Sequence, residues 1–141
     1  MSGQLLAHLA GDYLLQSDWM ALSKTRESLP AAAHAVTYTL PFLALTRDPR
    51  RLALIAGSHF VIDRWRLARH VCWAKNNLAP PGSNPPWAQC RATGYPPDRP
   101  DWMATWLMIV ADNTMHGLCN WLALREGDRA DSGGSKAAGR P

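Results

Sequence analysis

Histidine and aspartate stand four residues apart at three places in this sequence, and both side chains can bind metal ions. The three pairs are His8 and Asp12, His59 and Asp63, and Asp112 and His116. In a helix, residues i and i+4 lie on one face, so each pair would direct an imidazole and a carboxylate to the same side. Three such pairs would arise by chance in only about two per cent of shuffled sequences. The spacing therefore indicates a shared chemical role.

That role is predicted to be metal binding. His34 stands alone on a separate apolar segment and completes the set. The predicted ligands are His8, Asp12, His34, His59, Asp63, Asp112 and His116. They are too many for one tetrahedral zinc ion and fit two divalent ions that share a bridging carboxylate. Nitrogen and oxygen ligands suit zinc, manganese or iron, and paired ions commonly hydrolyse phosphate esters.

Cationic side chains follow the second pair closely and are predicted to bind an anionic substrate. They are Arg64, Arg66, Arg69 and Lys75. Arginine in particular forms bidentate contacts with phosphate. The predicted catalytic residues are Asp63, Asp112 and Asn113, with Asn113 polarising or orienting the substrate.

Each of these features also has a structural interpretation. A single His/Asp pair in a helix is usually a surface ion pair of little energetic value, and a buried polar network can serve only to fix how helices align. The arginines can equally form a solvated helix face or the positive flank of a membrane segment. The metal prediction depends on the pairs lying on otherwise apolar faces, where burial without partners is costly.

The elements that must position these residues are four long apolar segments with helical periodicity. The first is predicted over about 4–24, the second from about Pro30, the third over about 51–75, and the last from an N-cap at Asp101 to about Leu124. Pro41 should kink or end the second helix, because proline lacks the backbone N–H. No strand-like alternation competes with this pattern, so the sequence predicts an all-α four-helix bundle.

The connection between the third and fourth helices is unusually rich in proline. Seven of the eleven prolines fall between Pro80 and Pro100, which excludes a regular helix or a central strand. Trp87 and Tyr95 lie there too, and disordered linkers seldom contain aromatic residues. We therefore expect an ordered flap over about 76–100. The helical domain is predicted over 1–125, followed by a disordered polar tail over 126–141.

The amino-acid composition indicates which class of binding partner and which cellular compartment to expect. Only 18% of residues are charged and the net charge is +4, so direct nucleic-acid binding is less favoured than an anionic small molecule. The three cysteines show no CxxC spacing, and the first residues do not resemble a signal peptide. A cytoplasmic location is predicted. Association with the inner membrane stays open, because 28–46 and 102–124 are long enough to span but carry His or Asp.

The stretches HLAGDYLLQSDWM, SHFVID and DNTMH, with His34 between the first two, resemble a small helical bacterial and phage family known as domain of unknown function 3307. The resemblance covers about residues 4–124, apart from the flap. It implies a four-helix protein, often labelled a membrane protein, without an established activity. Its polar signature falls on the seven predicted ligands and on Gln16. The flap suggests a phage-type variant of the family.

Two hypotheses of function follow. The first is a metal-dependent hydrolase of a phosphoester or nucleotide-type substrate, with the flap closing over a two-metal site. The second is a non-enzymatic helical protein, membrane-associated or not, with a structural His/Asp network and a flap that binds a partner. Motifs for other hydrolases, such as HExxH, GxSxG and the P-loop, are absent from the sequence. Oligomeric state is not predicted.

Overall fold

The computed structural model describes the backbone of residues 2–134 and the side chains of residues 3–125, and this part of the chain contains helices and no strand. The α-helices are α1 (Ser2–Leu9), α2 (Asp18–Ser23), α3 (Ser28–Thr39), α4 (Pro49–Arg64), α5 (Leu67–Ala74), α6 (Trp87–Cys90) and α7 (Met108–Gly134). Two π-helical turns (Ala10–Leu14 and Met103–Leu107) and two 3₁₀ turns (Leu40–Ala44 and Lys75–Leu78) adjoin them. The all-α prediction is confirmed.

The first predicted helix is two helices, which corrects the prediction of one element over 4–24. A π-helical turn follows α1, and the chain then leaves helical geometry at Ser17, whose ψ is 161°. The Ser17 hydroxyl accepts a hydrogen bond from the Met20 amide at 3.4 Å and so caps the start of α2. The non-helical residues Gln16 and Ser17 therefore separate α2 from the preceding helix.

The third predicted helix is also divided, which corrects the prediction of one element over 51–75. Between α4 and α5, Arg66 adopts left-handed backbone geometry with φ of 50°. Such a conformation ends a helix, and it is uncommon for a residue with a side chain. The regular helix is therefore interrupted at Arg66, and the i,i+4 spacing of one helix does not carry across it.

The second predicted helix changes character at Pro41, as expected. Helix α3 ends at Thr39 and continues as the 3₁₀ turn Leu40–Ala44. Tyr38 and Phe42, which flank this transition, are fully buried. They pack in one apolar cluster with Ile55 of α4, Ala7 of α1 and Ala123 of α7. The apolar core thus joins α1, α3, α4 and α7 beside the 3₁₀ turn that contains Pro41.

The Pro-rich segment packs against α5. Cys90 and Tyr95 are buried, and Trp73 Nε1 of α5 donates a hydrogen bond to the Pro85 carbonyl at 3.0 Å. Gly94 has φ of 84°, and a side chain there would collide with the Arg69 carbonyl and lie 2.6 Å from Cys72 Cβ. Glycine at 94 is therefore needed for this close approach.

The last helix extends further than its sequence indicates. Helical geometry begins at Asp101, and α7 runs to Gly134 rather than ending near Leu124. Residues 125–131 contain a single glycine, so nothing in their helix propensity forces an earlier end. Residues 135–141 of the predicted tail lie outside the described residues. Within residues 2–134, every helix is too short or too polar to cross a bilayer.

Candidate metal centre

Helices α1, α3, α4 and α7 bring the predicted ligands to one buried region. Gly11, in the π-helical turn after α1 that also carries Asp12, lies against α3. A Cβ atom at Gly11 would lie 2.6 Å from Tyr38 Cδ2 and 2.8 Å from the Tyr38 carbonyl oxygen. The absence of a side chain at Gly11 therefore lets the turn that carries Asp12 pack directly on the helix that carries His34.

Six of the seven predicted ligands form three overlapping groups that could hold a metal ion. Within each group, one ligand atom from every member lies within 4.8 Å of the others. The groups are Asp12, His59 and His116; His34, His59 and Asp63; and Asp63, Asp112 and His116. Because the groups share members, the six residues make one continuous cluster rather than separate sites.

Asp63 lies at the middle of the cluster. Its Oδ2 is 3.1 Å from His59 Nε2 and 3.4 Å from His34 Nε2. Its Oδ1 is 3.6 Å from His116 Nε2. The two oxygens of one carboxylate therefore face different histidines, which is the disposition that a bridging carboxylate requires.

Asp12 and Asp112 flank Asp63 on either side. Asp12 Oδ1 lies 3.2 Å from His34 Nε2 and 3.5 Å from His59 Nε2. Asp112 Oδ2 lies 3.3 Å from His116 Nε2. Two ligand atoms bound to one tetrahedral ion at 2.0–2.1 Å are separated by about 3.3 Å. The nitrogen–oxygen distances around these carboxylates are thus close to those between ligands of one ion.

Several ring nitrogens in the cluster are buried without a hydrogen-bond partner among the described residues. They include His59 Nε2 and His116 Nε2. Burying a polar atom without a partner is costly, and these two nitrogens lie 3.1 Å and 3.6 Å from the two oxygens of Asp63. Convergent ligand atoms, two of them nitrogens without a hydrogen bond, fit the binding of a cation.

Burial and charge move the histidine pKa values in opposite directions. Burial lowers the pKa of His59 to about 4, despite the nearby Asp63 carboxylate. For His116, burial is outweighed by Asp112 and Asp63, which raise its pKa to about 9. His59 is therefore neutral and ready to act as a ligand near pH 7, whereas His116 must lose a proton first.

The carboxylates are held in the ionised form. Burial alone would raise the pKa of Asp63, but His116, His59 and Lys24 together bring it well below its usual range. In the same way, burial at Asp12 is outweighed by His34, His59 and other histidines, so its pKa is also lowered. Two ionised carboxylates in a buried cluster favour a bound cation.

Sequence reasoning missed Lys24, which belongs to this region. Its Nζ lies 2.8 Å from Asp63 Oδ2 and 2.7 Å from Gln16 Oε1. Lys24 has no distinctive spacing from any predicted ligand, and only the break at Ser17 turns α2 so that its end meets α4. The one sequence signal was Gln16, which the family resemblance included in its polar signature.

His8, the seventh predicted ligand, belongs to none of the three groups found within the described residues. Its Nε2 lies 2.7 Å from Asn113 Oδ1, and its Nδ1 lies 2.8 Å from the Tyr38 hydroxyl. The Asn113 oxygen only accepts, so His8 Nε2 donates. Tyr38 in turn receives a hydrogen bond from Asn120 Nδ2 at 2.6 Å. Both ring nitrogens of His8 thus have protein partners.

The four predicted substrate-binding cations separate in space. Arg66 and Arg69 line a cavity that also contains Asp12, Asp63 and Lys24. Each of the two arginines also donates to the Pro-rich segment, Arg66 to the Ala92 carbonyl and Arg69 to the Arg91 carbonyl, both at 2.9 Å.

The other two cations are not among the residues that line this cavity. Arg64 donates through Nη1 to the Thr25 carbonyl at 3.2 Å and through Nε to the Ser28 hydroxyl at 3.3 Å. Lys75 Nζ lies 5.0 Å from the centre of the Tyr95 ring. Arg64 thus connects α4 to the start of α3, and Lys75 contacts the Pro-rich segment.

The cavity is the opening to the cluster, and we call it the site cavity. Its volume is 210 Å³, and Asp112 and Asn113 of α7 form the wall opposite Arg66 and Arg69. Asn113 Nδ2 donates to the Tyr13 hydroxyl at 2.8 Å and to the Ile109 carbonyl at 2.9 Å. The Asn113 amide is thus held in place from both of its ends.

A comparison with family models gives one match, over residues 1–80, to the family described as Protein of unknown function (DUF3307). The family resemblance drawn from the sequence is confirmed over this range, which ends before Asp112 and His116. No curated protein and no solved structure matches the chain.

Proposed function

The chain belongs to the DUF3307 family, and we propose that it is a metal-dependent hydrolase that acts on a phosphoester. The observation that carries this proposal is the convergence of buried histidine and aspartate atoms, several of the histidine nitrogens without a hydrogen-bond partner among the described residues. They converge at a cavity that is also lined by Lys24, Arg66 and Arg69. A polar site of this kind, open to solvent on one side and cationic at its rim, suits an anionic substrate.

The proposal treats α1, α3, α4 and α7 as a four-helix bundle and residues 76–100 as a flap beside its open end. In support, α4 packs against both α3 and α7, and α1 packs against α7. The carbonyls of Arg91 and Ala92 hold the two rim arginines. Movement of the flap would therefore move cationic groups at the cavity.

Two divalent ions of zinc, manganese or iron would be held here, one by Asp12, His34 and His59 and the other by Asp112 and His116. Asp63, which contacts histidines of both sets, would be a ligand available to either ion. Bound ions of this type activate water and polarise phosphoryl oxygens. His8 is assigned a positioning role, because its ring nitrogens hold Tyr38 and Asn113 instead.

The remaining residues of the site bind and orient the substrate. Arg66 and Arg69 can each spare guanidinium N–H groups beyond the one that contacts the flap, and these would contact phosphate oxygens. Lys24 adds positive charge beside Asp63. We assign Asn113 to shaping the wall of the cavity rather than to polarising the substrate, since its amide is already engaged.

The test is metal content with and without Asp63. Protein purified without chelator should hold about two equivalents of a transition metal and should cleave bis(4-nitrophenyl) phosphate or 4-nitrophenyl phosphate. Asp63→Asn should lose the metal and the activity. Asp98→Asn, at an aspartate of the flap whose side chain is 71% exposed, should keep both. A folded protein that takes up no metal on titration would contradict the proposal.

One observation favours the second candidate function, a non-enzymatic protein with a structural His/Asp network. Lys24 already neutralises part of the charge on Asp63 at 2.8 Å without any metal. Lys24→Gln separates the two. In a metal enzyme the variant should still bind metal, because a competing cation has been removed. In a structural network the variant should chiefly lose stability, whether or not metal is present.

A further inference from the structure

An apolar groove runs between α1 and α7 on the outside of the molecule, next to the metal cluster. Its volume is 760 Å³, and its walls are formed by Leu5 and Leu9 of α1 and by Val110, Leu118 and Trp121 of α7. Leu5 and Leu118 are each 57% exposed. Large apolar side chains that face an open groove indicate a binding surface.

The groove meets the site cavity at Asn113, which lines both. His8 lies on the groove side of Asn113 and is bonded to it at 2.7 Å. Tyr13 lies on the cavity side and is bonded to it at 2.8 Å. Asn113 and these two partners thus form the boundary between the spaces, and a single molecule that occupies both would pass over Asn113.

The two spaces differ sharply in charge. The site cavity contains Lys24, Arg66 and Arg69 together with three aspartates. The described residues that line the groove include no Asp, Glu, Lys or Arg. The three cations and three aspartates balance, so with the divalent ions of the proposed function bound the site cavity would carry net positive charge. An occupant that suits both spaces would then be anionic at one end and apolar at the other.

The geometry points to an amphiphilic phosphoester as the substrate, with its phosphate in the site cavity and its alkyl or acyl chain in the groove between α1 and α7. This inference rests on the proposed function for the reaction at the phosphate. The groove itself is a binding surface for the chain, and it can be tested separately.

Gly117 offers a way to fill the groove without disturbing the fold. It lines the groove, and a Cβ atom there would meet nothing within 4 Å. Gly117→Leu should therefore occupy the space meant for the chain. Gly57→Leu is the matched control, because Gly57 lies inside α4, is exposed, and also has open space at Cβ. Both changes raise helix propensity equally.

The first experiment measures binding by calorimetry on manganese-loaded protein, with octyl phosphate below its micelle concentration and ethyl phosphate. Burying as few as two methylene groups is worth about tenfold in affinity. Octyl phosphate should bind at least about tenfold more tightly than ethyl phosphate. Gly117→Leu should reduce this preference to about twofold or less and leave ethyl phosphate binding unchanged, whereas Gly57→Leu should keep the preference.

Equal affinity for the two phosphates would overturn the inference, and so would a preference that survives in Gly117→Leu. Light scattering adds a third test. If Gly117→Leu turns an oligomer into a monomer while the original protein shows no preference for octyl phosphate, then the groove is an interface between copies and the inference is wrong.

Turnover of methyl and octyl 4-nitrophenyl phosphate separates this inference from the proposed function. A lower KM for the octyl ester, lost in Gly117→Leu, supports both. Cleavage of both esters with equal KM keeps the hydrolase and overturns the role of the groove. Binding preference for octyl phosphate with no cleavage of either ester refutes the hydrolase, and the groove then remains the binding site of an amphiphilic phosphate.

Discussion

The two halves of the third predicted helix carry similar residue types but use them differently. In α4, His59 is 1% exposed, and neither of its ring nitrogens has a hydrogen-bond partner among the described residues. In α5, His70 is exposed and its ring stacks on Trp87 with ring centres 4.7 Å apart. Burial with unpaired atoms indicates a ligand, whereas an exposed ring in stacking contact indicates packing.

The cationic residues that follow the helix break at Arg66 also make packing contacts, as His70 does. Arg69 donates to the Arg91 carbonyl and lies 5.8 Å from the centre of the Trp87 ring, and Lys75 lies over Tyr95. The half after the break therefore mainly contacts the Pro-rich segment, whereas α4 contributes His59 and Asp63 to the metal cluster. The predictions below test this division of roles.

The largest effect on stability is expected from Asp63→Ala in metal-free protein. The change leaves the Lys24 ammonium and the raised-pKa His116 without their central counter-charge, which should cost about 3–5 kcal/mol of unfolding free energy. Urea denaturation in the presence of a chelator measures it. Asp98→Ala, in the Pro-rich segment, should change the same quantity by less than about 0.5 kcal/mol. Equal losses in the two variants would show that Asp63 contributes no more to stability than an exposed aspartate does.

The next effect compares the two histidines directly. Losing a residue that only hydrogen-bonds to a metal ligand typically weakens metal binding by about 10–100-fold. His59→Gln removes a direct ligand, so it should weaken metal binding by more than about 100-fold. His70→Gln should bind metal as the original protein does. Competition with a chromophoric chelator gives both affinities, and a similar loss in both variants would contradict the division between α4 and α5.

A moderate effect is expected at the contact between α5 and the Pro-rich segment. Gly94→Ala should destabilise the protein by about 2–3 kcal/mol, because it adds a side chain at positive φ against the Arg69 carbonyl. Gly57→Ala in α4 should instead stabilise by about 0.5–1 kcal/mol. Chemical denaturation measures both, while metal content should stay unchanged in Gly94→Ala. Metal loss in that variant would tie the segment to the site itself.

The smallest effect is a pH dependence of the metal-free protein. The pKa of His116 rises from 6.5 to about 9 on folding, so its contribution to stability is complete below pH 6.5 and is lost as pH rises through 9. His59, whose pKa falls to about 4, opposes this weakly just above pH 6.5. The net loss between pH 6.5 and pH 8 should be about 1 kcal/mol.

Denaturation curves of His116→Gln should lack this slope, and those of His70→Gln should keep it. Metal binding near pH 7 should also release about one proton, which calorimetry in buffers of different ionisation enthalpy detects. A metal-free protein that gains stability from pH 6.5 to pH 8 would show that His116 is neutral in the folded state.

Local spacing was sufficient to predict several parts of this protein. Helical periodicity predicted an all-α chain, and the i,i+4 spacing predicted that His59 and Asp63 share a face, as they do at 3.1 Å. Pro41 predicted the end of a helix, because the missing N–H acts within a few residues along the chain. These features depend on neighbours in sequence, so a single sequence contains the information.

Long-range packing decided the rest. Lys24 reaches Asp63 only because the chain breaks at Ser17, and Arg66 adopts a left-handed turn where the chain leaves α4. His8 Nδ1 lies 3.3 Å from Asp12 Oδ2, as the spacing predicts, but its ring nitrogens also bond Tyr38 and Asn113, which lie 30 and 105 residues away. Residue types and spacing determined which side chains could form a site. Which of them meet, and which are taken by other partners, depended on contacts between distant helices that no local pattern encodes.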